Sequence, residues 1–311
     1  MRLSDIGEFG LIQKLRAKCR KPSTGIISGI GDDAAVIKAG NRKILVTADM
    51  MLEDIHFDLS LSTFYQLGWK FLAVNISDIF AMGGKPKYFF VSLGIPKARN
   101  TKDLDELYAG MLKIAGQYSI VIAGGDTCAS ADGLVLSGSL IGEANRIITR
   151  AGAREGDGIF VTDTVGDSAM GLTLLKGQGA RGRGQGLIKK HLMPDIKPLK
   201  NTSKVTSMID ISDGLLIDLS HICDESRVGA LLYSDRIPIS VELRKAAAHL
   251  GKDPLEFALK GGEDYALLFT APKGARKDAY QIGEIVRKGR FMVDARGKKT
   301  RFRPEGYEHF K

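Results

Sequence analysis

Aspartate recurs along this chain at the ends of apolar segments: Asp32 and Asp33, Asp49, Asp78, Asp126, and Asp210 with Asp213. Each stands among small residues, in Gly-Asp-Asp, Thr-Ala-Asp, Asn-x-x-Asp, Gly-Gly-Asp-Thr and Asp-x-Ser-Asp-Gly settings. One such aspartate is an ordinary turn or capping residue. Its return at successive strand and helix ends points instead to side chains that emerge from a core into a cleft. Carboxylates brought together repel unless cations neutralise them, and oxygen-only donors select magnesium or calcium over zinc. Asn75 and Asp78 share a helix face, so the pair could offer oxygens to one ion or to its waters. Several magnesium ions on carboxylates are the usual means of neutralising a polyphosphate and its transition state. The chemistry these residues suit is ATP-dependent.

The common nucleotide motifs are missing. The nearest run to a P-loop, Met82-Gly83-Gly84-Lys85-Pro86, lacks both the first glycine and the hydroxyl residue. No Gly-x-Gly-x-x-Gly follows the first strand, and the protein-kinase signature set, a nucleophile-elbow serine and zinc-type histidine pairs are absent. An ATP site here is of another kind.

The elements that must position these residues alternate between two periods. Apolar spacing predicts helices over Asp5 to Lys18 (with Ser4 as N-cap), Phe64 to Met82 and Lys102 to Tyr118. Strands are predicted over Ala34 to Ile37, Lys43 to Ala48, Tyr88 to Ile95, Ile120 to Ala123 and Leu134 to Gly142. The polar, turn-rich stretch from Ala144 to Gly158 divides the chain into expected domains 1–145 and 146–311. Beyond it come strands at Gly158 to Thr162, Ser207 to Ile211 and Tyr265 to Thr270. Helices are expected around Ser168 to Leu175, from Leu215, and around Val241 to His249. The pattern is that of a mixed α/β (α+β) protein of two domains. Gly177 to Gly186, a Gly/Arg-rich run with no aromatic neighbours for base stacking, reads as a surface loop joining two helices.

Composition sets the remaining bounds. At 311 residues, 44% hydrophobic and 26% charged, the chain is an ordinary globular one rather than a disordered one. Its net charge of +9 comes from peripheral stretches such as Arg16 to Lys21 and Lys298 to Arg303. A basic exterior around acidic clefts attracts phosphorylated anions. Cys19, Cys128 and Cys223 form no Cys-x-x-Cys pair, so neither a disulfide framework nor a zinc site is indicated. With no signal-peptide core and no apolar run of membrane-spanning length, a cytoplasmic protein without membrane or nucleic-acid partners is expected.

The succession Gly29-Ile-Gly-Asp-Asp-Ala-Ala-Val36, Val46-Thr-Ala-Asp49, Ala73-Val-Asn-Ile-Ser-Asp78, Gly124-Gly-Asp-Thr127, Asp210-Ile-Ser-Asp-Gly-Leu215 and Gly261-Gly-Glu-Asp-Tyr265 resembles the thiamine-monophosphate kinases. These belong to the superfamily of aminoimidazole ribonucleotide synthetase and selenophosphate synthetase. The match runs in order from Gly7-Glu-Phe-Gly-Leu-Ile12 to Gly306-Tyr-Glu-His-Phe310. The closing Gly-Tyr-x-His-Phe, the Gly-Gly-Glu-Asp-Tyr and the His56-Phe57 after Asp49 are its more specific parts.

The resemblance implies two domains of sheet with helices on one side, and an N-terminal domain that pairs into a barrel across a homodimer. It implies transfer of the ATP γ-phosphoryl group to the phosphate of thiamine monophosphate. By the same resemblance Asp33 (rather than Asp32), Thr47, Asp49, Asp78, Asp126, Asp210 and Asp213 bind magnesium, with Asp78, Asp126 and Asp213 closest to the chemistry. Arg150, Ser212, Gly125 and Tyr108 meet the nucleotide, and His56, Glu263 and Tyr307 hold the thiamine part. Ala48 departs from the family, which often has a hydroxyl residue there. Two other readings stay open: a different ATP-dependent enzyme of the superfamily, and an RNA-binding or scaffold protein. The second predicts salt-sensitive binding without nucleotide turnover.

Overall fold

In the computed structural model, which describes residues 2–19, 25–177, 184–276 and 278–310, the chain opens with α1 (Leu3–Lys18). Arg2 is its N-cap, so Ser4 lies inside the first turn rather than before it, and Gly7 interrupts the helix with φ 63°. Next come β1 (Ile26–Ser28), β2 (Ala35–Ala39), β3 (Arg42–Leu52) and α2 (Phe64–Ala81). The first half is completed by β4 (Lys85–Pro96), α3 (Thr101–Tyr118), β5 (Val121–Ser130) and β6 (Val135–Glu143).

A reciprocal cap starts α2. The Gln66 N–H donates to Thr63 Oγ1 at 3.2 Å while Thr63 N–H donates to Gln66 Oε1 at 2.9 Å. The helix is apolar on nearly every side, from Leu67 to Ala81, because it packs on the sheet, on α3 and on the second half of the chain. Two glycines let α2 and α3 meet backbone to backbone. A Cβ on Gly68 would lie 1.9 Å from the Leu107 carbonyl oxygen, and one on Gly110 2.0 Å from that of Tyr65.

Strand order in the first sheet is β1-β2-β3-β6-β4-β5, with β4 and β5 parallel across the α3 crossover. Alternation along β3, β4 and β6 sends Leu45, Met51, Phe89, Val91, Leu93, Leu136 and Leu140 into the core under α2 and α3. The opposite face leaves Met50, Tyr88 and Phe90 exposed. The Gly124-Gly125-Asp126 run, expected to follow a short strand, lies inside β5, which pairs with β4 from Val121 to Ser130.

The second half consists of β7 (Asp157–Val161), α4 (Asp167–Leu175), α5 (Gln185–Leu192), β8 (Ser207–Asp210), α6 (Leu215–Ser226) and β9 (Gly229–Tyr233). It continues through α7 (Val241–Leu250), α8 (Pro254–Lys260), β10 (Leu267–Pro272), β11 (Tyr280–Val286), β12 (Arg290–Val293) and β13 (Lys299–Arg301). Its sheet order is β13-β12-β9-β11-β7-β10-β8. The Gly/Arg-rich run falls between α4 and α5, and its residues 178–183 lie outside those described.

β7, β8 and β10 are buried on both faces. Ile159, Val161, Ile209 and Leu268 join Leu215, Leu219 and Ile222 of α6 in one core. Phe160, Met208 and Phe269 point the other way into the core of the first half. Trp69 Nε1 donates to the Pro194 carbonyl at 2.9 Å, and Tyr118 donates to that of Ile196. The two sheets thus share an apolar seam, and α2 runs along it beside β8.

Candidate active site

Where α2 passes β3 and β8, carboxylates from three elements converge. Asp78 leaves α2, Asp210 ends β8, and Asp33 precedes β2; one oxygen of each lies within 4.8 Å of the others. Asp78 accepts from Thr47, and Asp210 Oδ2 accepts from Ser77 Oγ at 2.5 Å. Asp33 Oδ1 accepts from Arg150 Nη2 at 2.6 Å and Nε at 3.3 Å. Asp33 Oδ2 and Asp49 Oδ2 are buried with no hydrogen-bond partner in the structure.

Such a group of acids is costly to ionise. Burial, then the Asp33 charge, pushes the Asp49 carboxyl up to about 6, and burial with Asp33 pushes Asp210 to about 7. Asp78 is raised well above the ordinary range by burial and by Asp49, Asp210 and Asp33. Burial, with Glu8 second, pushes Asp213 to about 7. Its loop is held in place by Asp218, whose Oδ2 accepts from the N–H of Asp213 at 3.2 Å and of Gly214 at 3.0 Å.

From the acids a cleft of about 860 Å³ runs to a second, differently built end. Asp49, Asp78, Asp210, Ser212 and Asp213 line the first end; His56, Lys70, His191, Glu263, Tyr307 and His309 line the other. Glu263 lies 2.7 Å from Lys70 Nζ and 3.2 Å from His191 Nδ1. Its loop rides directly on the Asp210–Asp213 turn: the Glu263 N–H donates to the Ser212 carbonyl at 2.7 Å. A Cβ on Gly262 would lie 2.5 Å from that same oxygen. The C-terminal tail closes one side. Tyr307 N–H donates to the Asp213 carbonyl at 2.9 Å, His309 N–H to Glu8 Oε2 at 3.0 Å, and the His309 ring lies 5.1 Å from that of His56.

Residues 31–144 match the family described as AIR synthase related protein, N-terminal domain, and residues 154–295 match its C-terminal domain. The chain is 36% identical to the thiamine-monophosphate kinase of Aquifex aeolicus (strain VF5), with 100% of both chains covered. It is 34% identical to that of Bacillus subtilis (strain 168), over 98% of this chain and 99% of the relative.

The chain belongs to the thiamine-monophosphate kinase family.

The fold agrees. AaThiL complexed with AMPPCP and TMP is similar with a TM-score of 0.90 at 35% identity, covering 99% of each chain. Thiamine monophosphate kinase from Aquifex aeolicus is similar at 0.85 and 34%, over 96% of this chain and 99% of that one.

Not every residue the family resemblance singled out reaches the cleft. Asp33, Thr47, Asp49, Asp78, Asp210, Asp213, Ser212, His56, Glu263 and Tyr307 gather in or directly behind it. Arg150 reaches the cluster only through its ion pair with Asp33. Asp126 stands apart. It pairs in register with Ser92, between the core-facing Val91 and Leu93, so it projects from the uncovered face of the first sheet. Gly125 lies beside it on that edge strand, and Tyr108 packs on α3 against the core of the first half. Asn75 Nδ2 donates to the Phe71 carbonyl at 3.0 Å, and its Oδ1 is buried without a hydrogen-bond partner.

Sequence reasoning also passed over Lys70, His191, Ser77, Glu8 and His309 in this thiamine-monophosphate kinase family member. A signal existed for Lys70, since it and Asp78 are the charged residues between Thr63 and Met82. Ser77, Glu8 and His309 stand inside the family motifs but were given no role of their own, and His191 is brought in by tertiary contacts alone.

Proposed function

We propose that this cleft transfers the γ-phosphoryl group of ATP to the phosphate of thiamine monophosphate, giving thiamine diphosphate and ADP. An acceptor phosphate oxygen forms the new P–O bond, and the bond from the γ-phosphorus to the bridging oxygen breaks. The observation that carries the reading is one cleft with an acidic end and an aromatic, ion-paired end, in a chain similar throughout to AaThiL complexed with AMPPCP and TMP.

Magnesium fits the acidic end. The donors are all oxygen, three carboxylates converge within 4.8 Å, and two buried carboxylate oxygens have no hydrogen bond to satisfy them. Asp33, Asp49, Asp78, Asp210 and Asp213 hold the ions, with Thr47 orienting Asp78 and Ser77 orienting Asp210. Bound there, magnesium supplies charge neutralisation for the polyphosphate and its transition state. Arg150, already aimed at Asp33, offers its remaining N–H groups to the nucleotide, and Ser212 lies between the acids and Glu263. The acceptor phosphate is an anion at neutral pH, so no side chain need act as a strong base. Positioning and electrostatics carry the rate. At the other end His56, Glu263 and Tyr307 hold the thiamine part.

Two chains pair through the uncovered face of the first sheet in this reading. Met50, Ser137, Ser92 and Asp126 lie in register across that face, which supports a role for Asp126 outside the cleft of the single chain. Residues 1–145 and 146–311 are the two domains of the proposal.

Incubating the purified protein with ATP, magnesium and thiamine monophosphate, followed by chromatography, tests the activity. Thiamine diphosphate and ADP are expected in equal amounts. Absence of thiamine diphosphate, with turnover of another small phosphate or carboxylate acceptor, overturns the substrate assignment.

A further inference from the structure

Lys70 and His191 take no part in the phosphoryl transfer as described, yet both are buried and both address one carboxylate. Lys70, Val74 and Asp78 recur at four-residue steps on α2, and all three line the cleft. One helix face therefore carries an acid to the metal end and, about 12 Å away at the α-helical rise, a cation to the acceptor end.

A buried ammonium is costly unless paired. The Lys70 side chain, 5% exposed, meets Glu263 Oε1 at 2.7 Å. His191 Nδ1 lies 3.2 Å from Glu263 Oε2 and 3.1 Å from Ser168 Oγ. Burial pushes the Glu263 carboxyl up, but Lys70 and His191 outweigh it and hold it at about 2. Burial, reinforced by Lys70, keeps the His191 imidazole below its ordinary range. Glu263 is also fixed from its backbone, with φ 64° and its N–H on the Ser212 carbonyl. It remains 31% exposed to the cleft.

The Lys70–Glu263 pair has no net charge. A substrate cation placed on it would find a carboxylate already compensated, whereas a neutral N–H donor finds a fixed, charged acceptor with open lone pairs. The aromatic rings of His56, Tyr307 and His309 stand at the same end and offer π faces to a flat cation. We propose that Lys70 and His191 are positioning residues that hold Glu263 as a neutralised, pre-aimed acceptor for the 4-amino group of the substrate's aminopyrimidine, rather than as countercharge to its thiazolium. This inference rests on the reading of the cleft as a thiamine monophosphate site.

The test compares thiamine monophosphate with its 4-oxo analogue, which lacks the donor, in the wild-type chain and in Lys70→Met, Lys70→Arg and His191→Asn. The wild type is expected to favour the amino substrate by about 100-fold in kcat/KM. Lys70→Met should cut that preference to about 5-fold through the acceptor KM, with the KM for ATP unchanged. Lys70→Arg should restore most of the preference, and His191→Asn should fall between. A merely structural lysine would lower thermal stability and both substrates' kcat/KM alike, leaving the preference intact, and that result overturns the proposal. Should Lys70→Met fail to fold, an unchanged preference in His191→Asn overturns it equally. If the wild type turns over neither substrate, the functional reading itself fails and takes this inference with it. Turnover of both substrates without preference removes this inference alone.

Discussion

Arg150 grips Asp33 through two nitrogens, Nη2 at 2.6 Å and Nε at 3.3 Å, both on Oδ1, while Oδ2 of the same carboxylate is buried with no partner. One half of Asp33 is satisfied by the protein and the other is left for a ligand. Removing one partner of a buried ion pair strands the other charge. Arg150→Ala is therefore expected to destabilise the magnesium-free protein by about 3 kcal/mol. The loss should shrink when magnesium is added, because a cation on Oδ2 compensates the same charge. Urea denaturation with and without magnesium checks both parts; an equal loss in the two conditions contradicts the shared role of Asp33.

The acid cluster makes stability depend on pH in a definite direction. Asp49, Asp210 and Asp213 titrate in the folded protein at about 6, 7 and 7, above their ordinary value of 3.8. The folded state then holds more protons than the unfolded one between about pH 4 and 7. Stability is greatest below the unfolded value and falls as pH rises through the folded ones. One such group costs on the order of 3 kcal/mol across that window. Metal-free protein should lose stability from pH 5 to pH 7.5, while the stabilisation by magnesium grows over the same range. Thermal unfolding at several pH values, with EDTA or magnesium, reads both trends.

Aspartates inside and outside the cluster should respond differently to neutralisation. Asp49→Asn removes a buried charge that repels Asp33 and Asp78, so it should stabilise the metal-free protein by about 1–3 kcal/mol. It should also weaken magnesium binding and lower kcat by about 100-fold or more. Asp126→Asn, exposed on the edge strand, should leave metal-free stability within about 0.5 kcal/mol. Its effect on activity should depend on protein concentration if two chains share the site. Calorimetric magnesium titration of both variants, with activity across a dilution series, separates these roles.

Part of this site was legible in the chain because Asp33 and Asp210 stand at element ends and Asp78 in the last turns of α2. Asp49, expected to follow a strand ending at Ala48, lies inside β3 on the same face as Leu45, Thr47 and Met51. Asp33, Asp78 and Asp210 each follow or precede an apolar segment, and small residues around them mark the close approach. The helix α2 announced itself through its apolar spacing from Phe64 to Met82. Strands β11 to β13 did not, because β12 and β13 are only four and three residues long and β11 pairs with β7 and β9, which are far away in sequence. Asp126 shows a different limit. Its Gly-Gly-Asp setting suggested a turn at a strand end, but pairing with β4 supplies hydrogen-bond partners along the whole of β5. Which face a strand residue takes depends on register, and register is a tertiary property. Lys70 and His191 fall in the same class, since their meaning lies in Glu263, which is distant in sequence.

The C-terminal tail is the remaining wall of the cleft, and its attachments are few enough to test. Tyr307 N–H binds the Asp213 carbonyl and His309 N–H binds Glu8, so the tail ties the Asp213 loop to α1 across the acceptor end. Tyr307 and His309 stack edge to face with centroids 4.9 Å apart, which sets the Tyr307 ring against the cleft. Tyr307→Ala keeps the backbone bond and deletes the ring. It should raise the KM for thiamine monophosphate by about 10-fold, the scale of one aromatic face on a cation, and leave the KM for ATP alone. Ending the chain after Glu305 removes both backbone bonds as well. That should add a loss in kcat, because the Asp213 loop is released next to the metal ligands. Steady-state kinetics with each substrate varied in turn gives the answer: a truncation no worse than Tyr307→Ala would mean that the tail contributes its ring and nothing more.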